Sequence, residues 1–543
     1  MSSEARLLHS SSLMAAGTVT SRVSGLFKTV ALVAAVGTGV FADTYYNANI
    51  LPTIIYTLFI GGAINAVFVP QLVRHMQDDE DEGNAYAQRL FTAVAGVLLV
   101  VTVVAVVAAP LIMRLYSSGW NERQLEVATA FARFMLPQIF FLGMFTVLAQ
   151  ILNSRARFGA PMFAPVVNNI VVIVAALMFL WVAGTGTTTR TVTPGEIALL
   201  GVGTSLGTIA QVVVLLPFLR RTGVSLRPRT DLKGHGLGKA WSLARWTIGL
   251  VLINQIGTLF IIRLATRINV EDTALESGSN VYGNAFTLFM LPQSVITVSI
   301  VTALLPHLSR LAHDGAWDTV RERMGWALRT TASVIVPAAA VLMAFGPAIG
   351  LLLFGYGSSG SEGGRQIGLT AAAFAVGLPA FSAYYTLMRG YYALEDTRSP
   401  TVNAVLLNSV NVLLAFAITP FVAPVWKIPA LGLAYSLSYW VAVVPLWIRL
   451  GHRLGGLHTH LVVRTFVRVT IATALATAVA LAVFLSVRVL LGQPVDTVWA
   501  VAVALLLALA VGGGIYLGLA KLMRIEELRP VVVLVTRRTR IGA

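Results

Sequence analysis

Long apolar runs without charge set the pattern of this chain. Thirteen are clear: 44–73, 90–113, 134–154, 158–189, 197–219, 246–262, 277–309, 330–361, 366–388, 399–426, 428–448, 469–487 and 497–520. Each, with flanking residues, is long enough to cross ~30 Å of hydrocarbon as a helix, which takes roughly 20 residues. A fourteenth run, near 12–38, is interrupted by Arg22 and Lys28; those interior charges also make it a poor match to a cleavable signal. None of the runs alternates with a period of two, as barrel strands do. The pattern predicts an all-α polytopic membrane protein with about fourteen transmembrane helices.

The loops give the sidedness. Basic residues fall about 25 to 7 in favour of one side, which holds Arg74, Arg155, the segment from Arg220 to Lys239, Arg310, Arg321, Arg323, Arg398, Arg453 and the tail from Lys521. Cytoplasmic loops carry such an excess, so both termini are expected on the cytoplasmic side of the membrane. Composition agrees: 57% of the 543 residues are hydrophobic and 11% charged, against roughly a quarter charged in a soluble domain. This excludes a soluble enzyme, a disordered chain and a coiled coil. The net charge of +16 follows from the basic loops and gives no reason to expect nucleic acid. Without cysteine there is no thiolate metal site or cysteine nucleophile, and the eight His residues show no metal-ligand spacing.

The two halves repeat. "FVPQLVRH" with Pro70 recurs as "LLPHLSRL" with Pro306, Pro110 pairs with Pro347, and "ILNSRARFGAP" ending at Pro161 matches "GYYALEDTRSP" ending at Pro400. The offsets lie within three residues of one another and cover six spans, an even number, so the copies run in the same direction. That is a parallel repeat about an axis along the membrane normal. The expected domains are an N-terminal bundle (1–219), a basic linker (220–239), a C-terminal bundle (240–451), two appended spans (452–521) and a basic tail (522–543). Two such bundles can expose a substrate held between them to either face in turn.

Charges inside spans point to the cargo. Arg22, Lys28, Arg133, Arg245, Arg263 and Arg389 are the candidates, and no Asp or Glu lies at comparable depth. A charge at mid-bilayer costs at least a few kcal/mol, so it is expected to face protein or an aqueous cavity. A cavity lined by cations attracts an anion, and guanidinium suits the forked geometry of phosphate. Arg133 and Arg245 lie near span ends, where a long side chain can reach the interface. Arg22 and Lys28 are six residues apart, about 120° on an ideal helix, so a common target needs a bend near Gly25 or a ligand with several anionic oxygens. Asp43 sits at the outer end of the first two spans. Asn168, Asn403, Asn408 and Asn411 are polar residues within spans, suited to bonding neighbouring helices or contacting an ion.

At these residues the sequence resembles the MurJ (MviN) lipid II flippases of the MOP exporter superfamily. "SRVSGLFK" (21–28) is similar to the family's S-R-x-x-G-x-x-R opening, "FADTYYNANILP" (41–52) and "GGAINAVFVPQL" (61–72) to its next stretches, and "ILNSRARFGAPMFAPVVNN" (151–169) to its most specific signature. The resemblance implies transport of lipid II, a polyprenyl diphosphate bearing a disaccharide-pentapeptide, from the inner to the outer leaflet. By position it implies that Arg22 and Lys28 contact the diphosphate, with Lys28 standing for an arginine, and that Asp43 is a gate contact. Arg263 is a further candidate for the diphosphate; Arg389, Asn168 and Asn403 are weaker ones. Two cations expected by resemblance are replaced, by Tyr56 and Thr57 and by Thr287. The appended spans are implied to shelter the prenyl tail.

Neither a nucleotide-binding motif nor a catalytic constellation is present, so the expectation is a transporter without a cofactor, driven by a membrane potential or ion gradient. Lipid II and the surrounding membrane lipids are the expected partners. Three alternatives stay open: a flippase for another polyprenyl-diphosphate glycan, an exporter of drugs or cations, and a transport-inactive scaffold that recruits cell-wall synthases. The exporter reading lacks the buried carboxylates that binding protons or cations usually needs.

Overall fold

The computed structural model describes residues 3–61, 81, 83–155, 157–222, 227, 229, 237–271, 277–492 and 497–528. Expectations for Pro70, the body of the basic linker, the side chain of Arg245 and the tail from 529 onward lie outside the described residues.

All regular structure among the described residues is helical. In chain order the α-helices are α1 (Ser3–Val36), α2 (Val40–Tyr56), α3 (Asn84–Val107), α4 (Ala109–Tyr116), α5 (Glu122–Met135), α6 (Gln138–Ser154), α7 (Gly159–Ala183), α8 (Pro194–Val213) and α9 (Leu216–Arg220). There follow α10 (Leu237–Glu271), α11 (Ser279–Pro292), α12 (Val298–His313), α13 (Trp317–Phe354), α14 (Gly360–Ala375) and α15 (Leu378–Ala393). The last are α16 (Arg398–Ile418), α17 (Lys427–Leu454), α18 (Thr459–Leu491) and α19 (Val498–Leu522).

Among the described residues eleven helices are long and apolar enough to cross a membrane, or twelve if the bent pair over 357–393 counts as one span. The two remaining expected spans are 44–73, described only to Gly61, and 277–309. Each holds a five-residue π-helical turn, Thr57–Gly61 and Gln293–Thr297. Each turn follows a proline in the preceding helix, Pro52 or Pro292, whose missing N–H loosens the regular ladder. The two turns are 236 residues apart, the same spacing as Pro70 and Pro306 in sequence. The internal repeat therefore extends to a backbone irregularity that hydropathy does not register.

By contacts the chain divides into two units, Met1–Asn280 with Gly357–Ser359, and Val281–Tyr356 with Gly360–Ala543. In the first unit α1 packs on α7, α7 on α8, and α2 on α5 and α6. Its core holds Phe41, Tyr45, Phe131 and Phe179; Phe41 stacks on Phe179 at 6.0 Å, and Tyr45 meets Phe131 edge-on at 5.6 Å. The three-residue segment Gly357–Ser359 belongs to this unit: Ser358 Oγ donates to the Ala35 carbonyl at 3.0 Å.

In the second unit the closest helix pair is α13 against α14. Glycines stand four apart on both, at 346 and 350 and at 364 and 368. A Cβ on Gly350 would lie 2.2 Å from the Gly364 carbonyl oxygen, and one on Gly368 would lie 2.0 Å from that of Gly346. Within lipid, helices associate through such close backbone approach rather than through a hydrophobic driving force. An aromatic group of Phe289, Phe374, Phe381, Tyr435 and Tyr439 fills the space beside α15 and α17. The pair α18–α19 docks on α13, where Tyr516 Oη donates to the Ser333 carbonyl.

Candidate functional site

The helix that carries Arg22 and Lys28 is unbroken from Ser3 to Val36, so no interruption separates the two residues. On α1 the residues 21, 24 and 28 share one stripe, as helical periodicity requires. That stripe meets α7: Asn169 Nδ2 donates to Ser24 Oγ at 2.9 Å and to the Ser21 carbonyl at 3.2 Å. Gly25 lies beside the same amide, 3.6 Å from where its Cβ would stand. Lys28 continues the stripe and is half-buried, whereas Arg22, off the stripe, is exposed. Neither has a hydrogen bond or ion pair among the described residues, and neither is capped by a neighbouring carbonyl.

Asp43, in the first turn of α2, is fully buried. Its Oδ2 accepts from Asn269 Nδ2 and its Oδ1 from the Asn280 backbone N–H, both at 2.7 Å. Asn280 Nδ2 in turn donates to the Gly37 carbonyl at 2.8 Å, and one turn along α2 Asn47 Nδ2 donates to Thr266 Oγ1 at 3.1 Å. Gly278 permits this approach, since a Cβ there would fall 2.1 Å from Asp43 Oδ2. The carboxylate is thus held by amides, with no cation within ion-pair distance among the described residues. Asn269 and Asn280 escaped the sequence reading because each is a lone asparagine at a helix end, without a spacing that announces a partner.

Arg263 is partly engaged: its Nη1 donates at 2.5 Å to the carbonyl of Leu115, one residue before the end of α4. A cation at a helix C-terminus satisfies an orphan carbonyl and complements the dipole. Arg389, in the second unit, donates to the Tyr385 hydroxyl and lies over that ring at 4.7 Å, with Tyr392 at 5.9 Å. Asn168 Nδ2 donates to Gln211 Oε1 at 3.0 Å, joining α7 to α8, and buried Asn403 donates to the Ala442 carbonyl at 3.0 Å, joining α16 to α17. Both asparagines therefore bond neighbouring helices. Arg133 is exposed at the end of α5.

Where the resemblance leads one to expect further cations, neutral hydroxyls are tied up locally. Tyr56 Oη and Thr146 Oγ1 are 2.7 Å apart, Thr57 Oγ1 donates to the Thr53 carbonyl, and Thr287 Oγ1 to the Gly283 carbonyl. Among the described residues no group of three or more His, Cys, Asp or Glu stands close enough to hold a metal.

The family model described as lipid II flippase MurJ matches residues 32–507. This chain belongs to the MurJ family. A probable lipid II flippase MurJ of Vibrio cholerae is 26% identical over 419 residues, spanning 75% of this chain and 77% of that one. A lipid II flippase MurJ of Burkholderia cenocepacia is 25% identical over 451 residues, spanning 81% and 83%. These MurJ relatives are named as transporters, not catalysts. In fold, the chain is similar to a solved lipid II flippase MurJ in an inward closed conformation, with TM-score 0.73, 19% identity and coverage of 95% and 100%. It is also similar to an inward-facing multidrug resistance MATE family transporter of the MOP superfamily, with TM-score 0.65, 14% identity and coverage of 81% and 96%. Membership in MurJ and the apolar helices together make this a multi-pass membrane protein.

Proposed function

We propose that this chain moves lipid II from the cytoplasmic to the outer leaflet of the bacterial plasma membrane by alternating access. Arg22 and Lys28 bind the diphosphate in a water-accessible cavity, and Arg263 adds to them with the donors that the Leu115 carbonyl leaves over. The observation that carries the reading is that Arg22 and Lys28, within a membrane-spanning helix, have no protein partner among the described residues. Charges at such depth are tolerated where water or a counter-charge meets them, and a diphosphate supplies several anionic oxygens. Two groups about 120° apart on a straight helix suit a ligand with two phosphates better than one with a single anionic oxygen. Asp43 serves as an outer gate contact, its carboxylate held by amide donors that a movement of the helices would release. Both termini lie in the cytoplasm, and the driving force is a membrane potential or ion gradient.

The test is a leaflet-resolved assay of labelled lipid II in cells that depend on this protein. Arg22→Ala is expected to abolish outward movement at unchanged protein level, leaving lipid II on the inner leaflet. Unaltered export by Arg22→Ala removes the cationic site from the mechanism. If depletion of the whole protein leaves lipid II distribution unchanged while the cell wall still fails, the scaffold for cell-wall synthases is the correct reading instead.

A further inference from the structure

A second cationic site lies in the second unit, at the turn joining α12 to α13. His307 and Arg310 stand three apart on the last turns of α12, and Arg323 stands on the second turn of α13. With Leu304, Leu311, Asp314 and Thr319 they line a cavity of about 430 Å³. Gly315, at φ +68°, closes the turn that folds the two helices back on one another. Leu304 is buried and Leu311 half-buried, so the cavity has an apolar side, while His307, Arg310 and Arg323 are exposed.

The bonds of the lining groups differ. Arg310 Nη2 is 3.2 Å from His307 Nδ1, and a guanidinium can only donate. In that bond Nδ1 is the acceptor, and Arg310 is held beside the His307 ring. Asp314 offsets one of the two arginines. Arg323 remains: nearby arginines have carboxylates of their own, Arg321 with Asp318 at 2.6 Å and Arg329 with Glu527 at 2.8 Å, whereas Arg323 has no hydrogen bond or ion pair among the described residues. The position along the chain also matters. Trp317, 44% exposed, opens α13 in the loop that charge asymmetry assigns to the cytoplasmic side, and tryptophan is enriched at head-group depth.

We infer that this cavity binds the glycerophosphate head group of an anionic membrane lipid. Arg323 and Arg310 meet the phosphate, Asp314 accepts from a head-group hydroxyl, and Leu304 and Leu311 face the first carbons of the lipid. Basic pockets among spanning helices on the cytoplasmic side suit anionic head groups, and each arginine near such a surface is worth roughly fivefold in binding. The apolar side favours a lipid over free phosphate. The site shares no residue with the proposed diphosphate site on α1 and does not depend on the flippase reading.

Binding to the purified full-length protein in detergent tests it, with dioctanoyl phosphatidylglycerol, dioctanoyl phosphatidylcholine, undecaprenyl diphosphate and inorganic phosphate as probes. The expected result is preference for phosphatidylglycerol over phosphatidylcholine and inorganic phosphate. Arg323→Gln is expected to weaken it about fivefold and Arg310→Gln with Arg323→Gln about 25-fold, with Arg323→Lys retaining most of it. Both side chains are on the surface, and monodisperse elution of each variant checks its folding. Equal binding of phosphatidylglycerol and phosphatidylcholine overturns the inference, as does an unchanged affinity in the double variant. Inorganic phosphate binding as tightly as the lipid removes the lipid assignment. A double variant that loses only undecaprenyl diphosphate would give the cavity to the transported cargo and defeat the proposal.

Discussion

Asp43 Oδ2 and Asn269 Nδ2 lie 2.7 Å apart, both residues wholly buried, and this bond ties the start of α2 to the end of α10. An acidic group and an amide 226 residues apart in sequence thus meet in a buried polar cluster that also holds Asn47, Thr266 and Asn280. The Asn280 N–H supplies the second bond, and Gly278 leaves the room that both require. Burial of a carboxyl group demands such partners, because an unmet one costs more than a hydrogen bond returns.

Asn269→Leu is therefore expected to destabilise the protein by about 1–3 kcal/mol, since it removes a donor from the buried Asp43 carboxyl group. Thermal unfolding in detergent measures this. Asp43→Leu combined with Asn269→Leu is expected to recover part of the loss, because neither polar partner is then stranded. A double variant as unstable as the sum of the singles would show that the two residues act separately.

The contact between α13 and α14 makes a second, sharper prediction. Gly368→Val places branched carbon atoms where the Gly346 carbonyl oxygen already stands 2.0 Å from a Cβ position, so the helices must separate. Overpacking of this kind typically costs 1–3 kcal/mol, and backbone on the far side cannot yield as a side chain can. The unfolding midpoint and the fraction recovered in monodisperse form should both fall. Gly513→Ala, in α19, where a Cβ meets nothing within 4 Å, serves as the matched control and should be neutral or slightly stabilising.

How far the fold was legible follows from the same cases. Apolar runs revealed the spans because lipid imposes a length and an absence of charge on each helix, and this signal is local. The membrane boundaries of α13 were less visible: the apolar run starts near 330, yet the helix starts at Trp317, because charged turns outside the bilayer extend a helix without changing its hydropathy. Glycines at 346, 350, 364 and 368 were visible as residues, but only their pairing across two helices shows why they are there. Lys28 and Arg22 were legible as intramembrane cations. The partial burial of Lys28 was not, because it depends on where Asn169 of α7 meets α1.

Arg263 is expected to matter in two measurable ways. Arg263→Ala removes the donor to the Leu115 carbonyl, which should lower stability by about 1 kcal/mol, and it also removes a charge from the proposed diphosphate site. Export of lipid II should fall several-fold, by more than the stability change explains. Arg263→Lys should keep part of the export while lacking the planar fork. Normal growth and export in Arg263→Ala would confine this residue to its bond with α4.

The loop between α15 and α16 predicts a dependence on pH. Burial pushes the Asp396 carboxyl upward, but bonds from the Ser399 N–H and Oγ, at 2.9 and 2.7 Å, and the Arg453 guanidinium at 2.5 Å outweigh it and hold the pKa below the ordinary value. A carboxylate with a depressed folded-state pKa stabilises the fold fully above its unfolded value, near 4, and loses that contribution as pH falls through the folded one. Arg453 is about half exposed, so solvent screening keeps its share small, and the two Ser399 bonds carry more of the effect. Asp396→Asn should therefore lower stability at pH 7, and the difference from wild type should shrink as pH drops below 4. Unfolding midpoints measured at pH 7, 5 and 3.5 decide it: a gap that stays constant across the three would mean that the carboxylate's charge contributes nothing here.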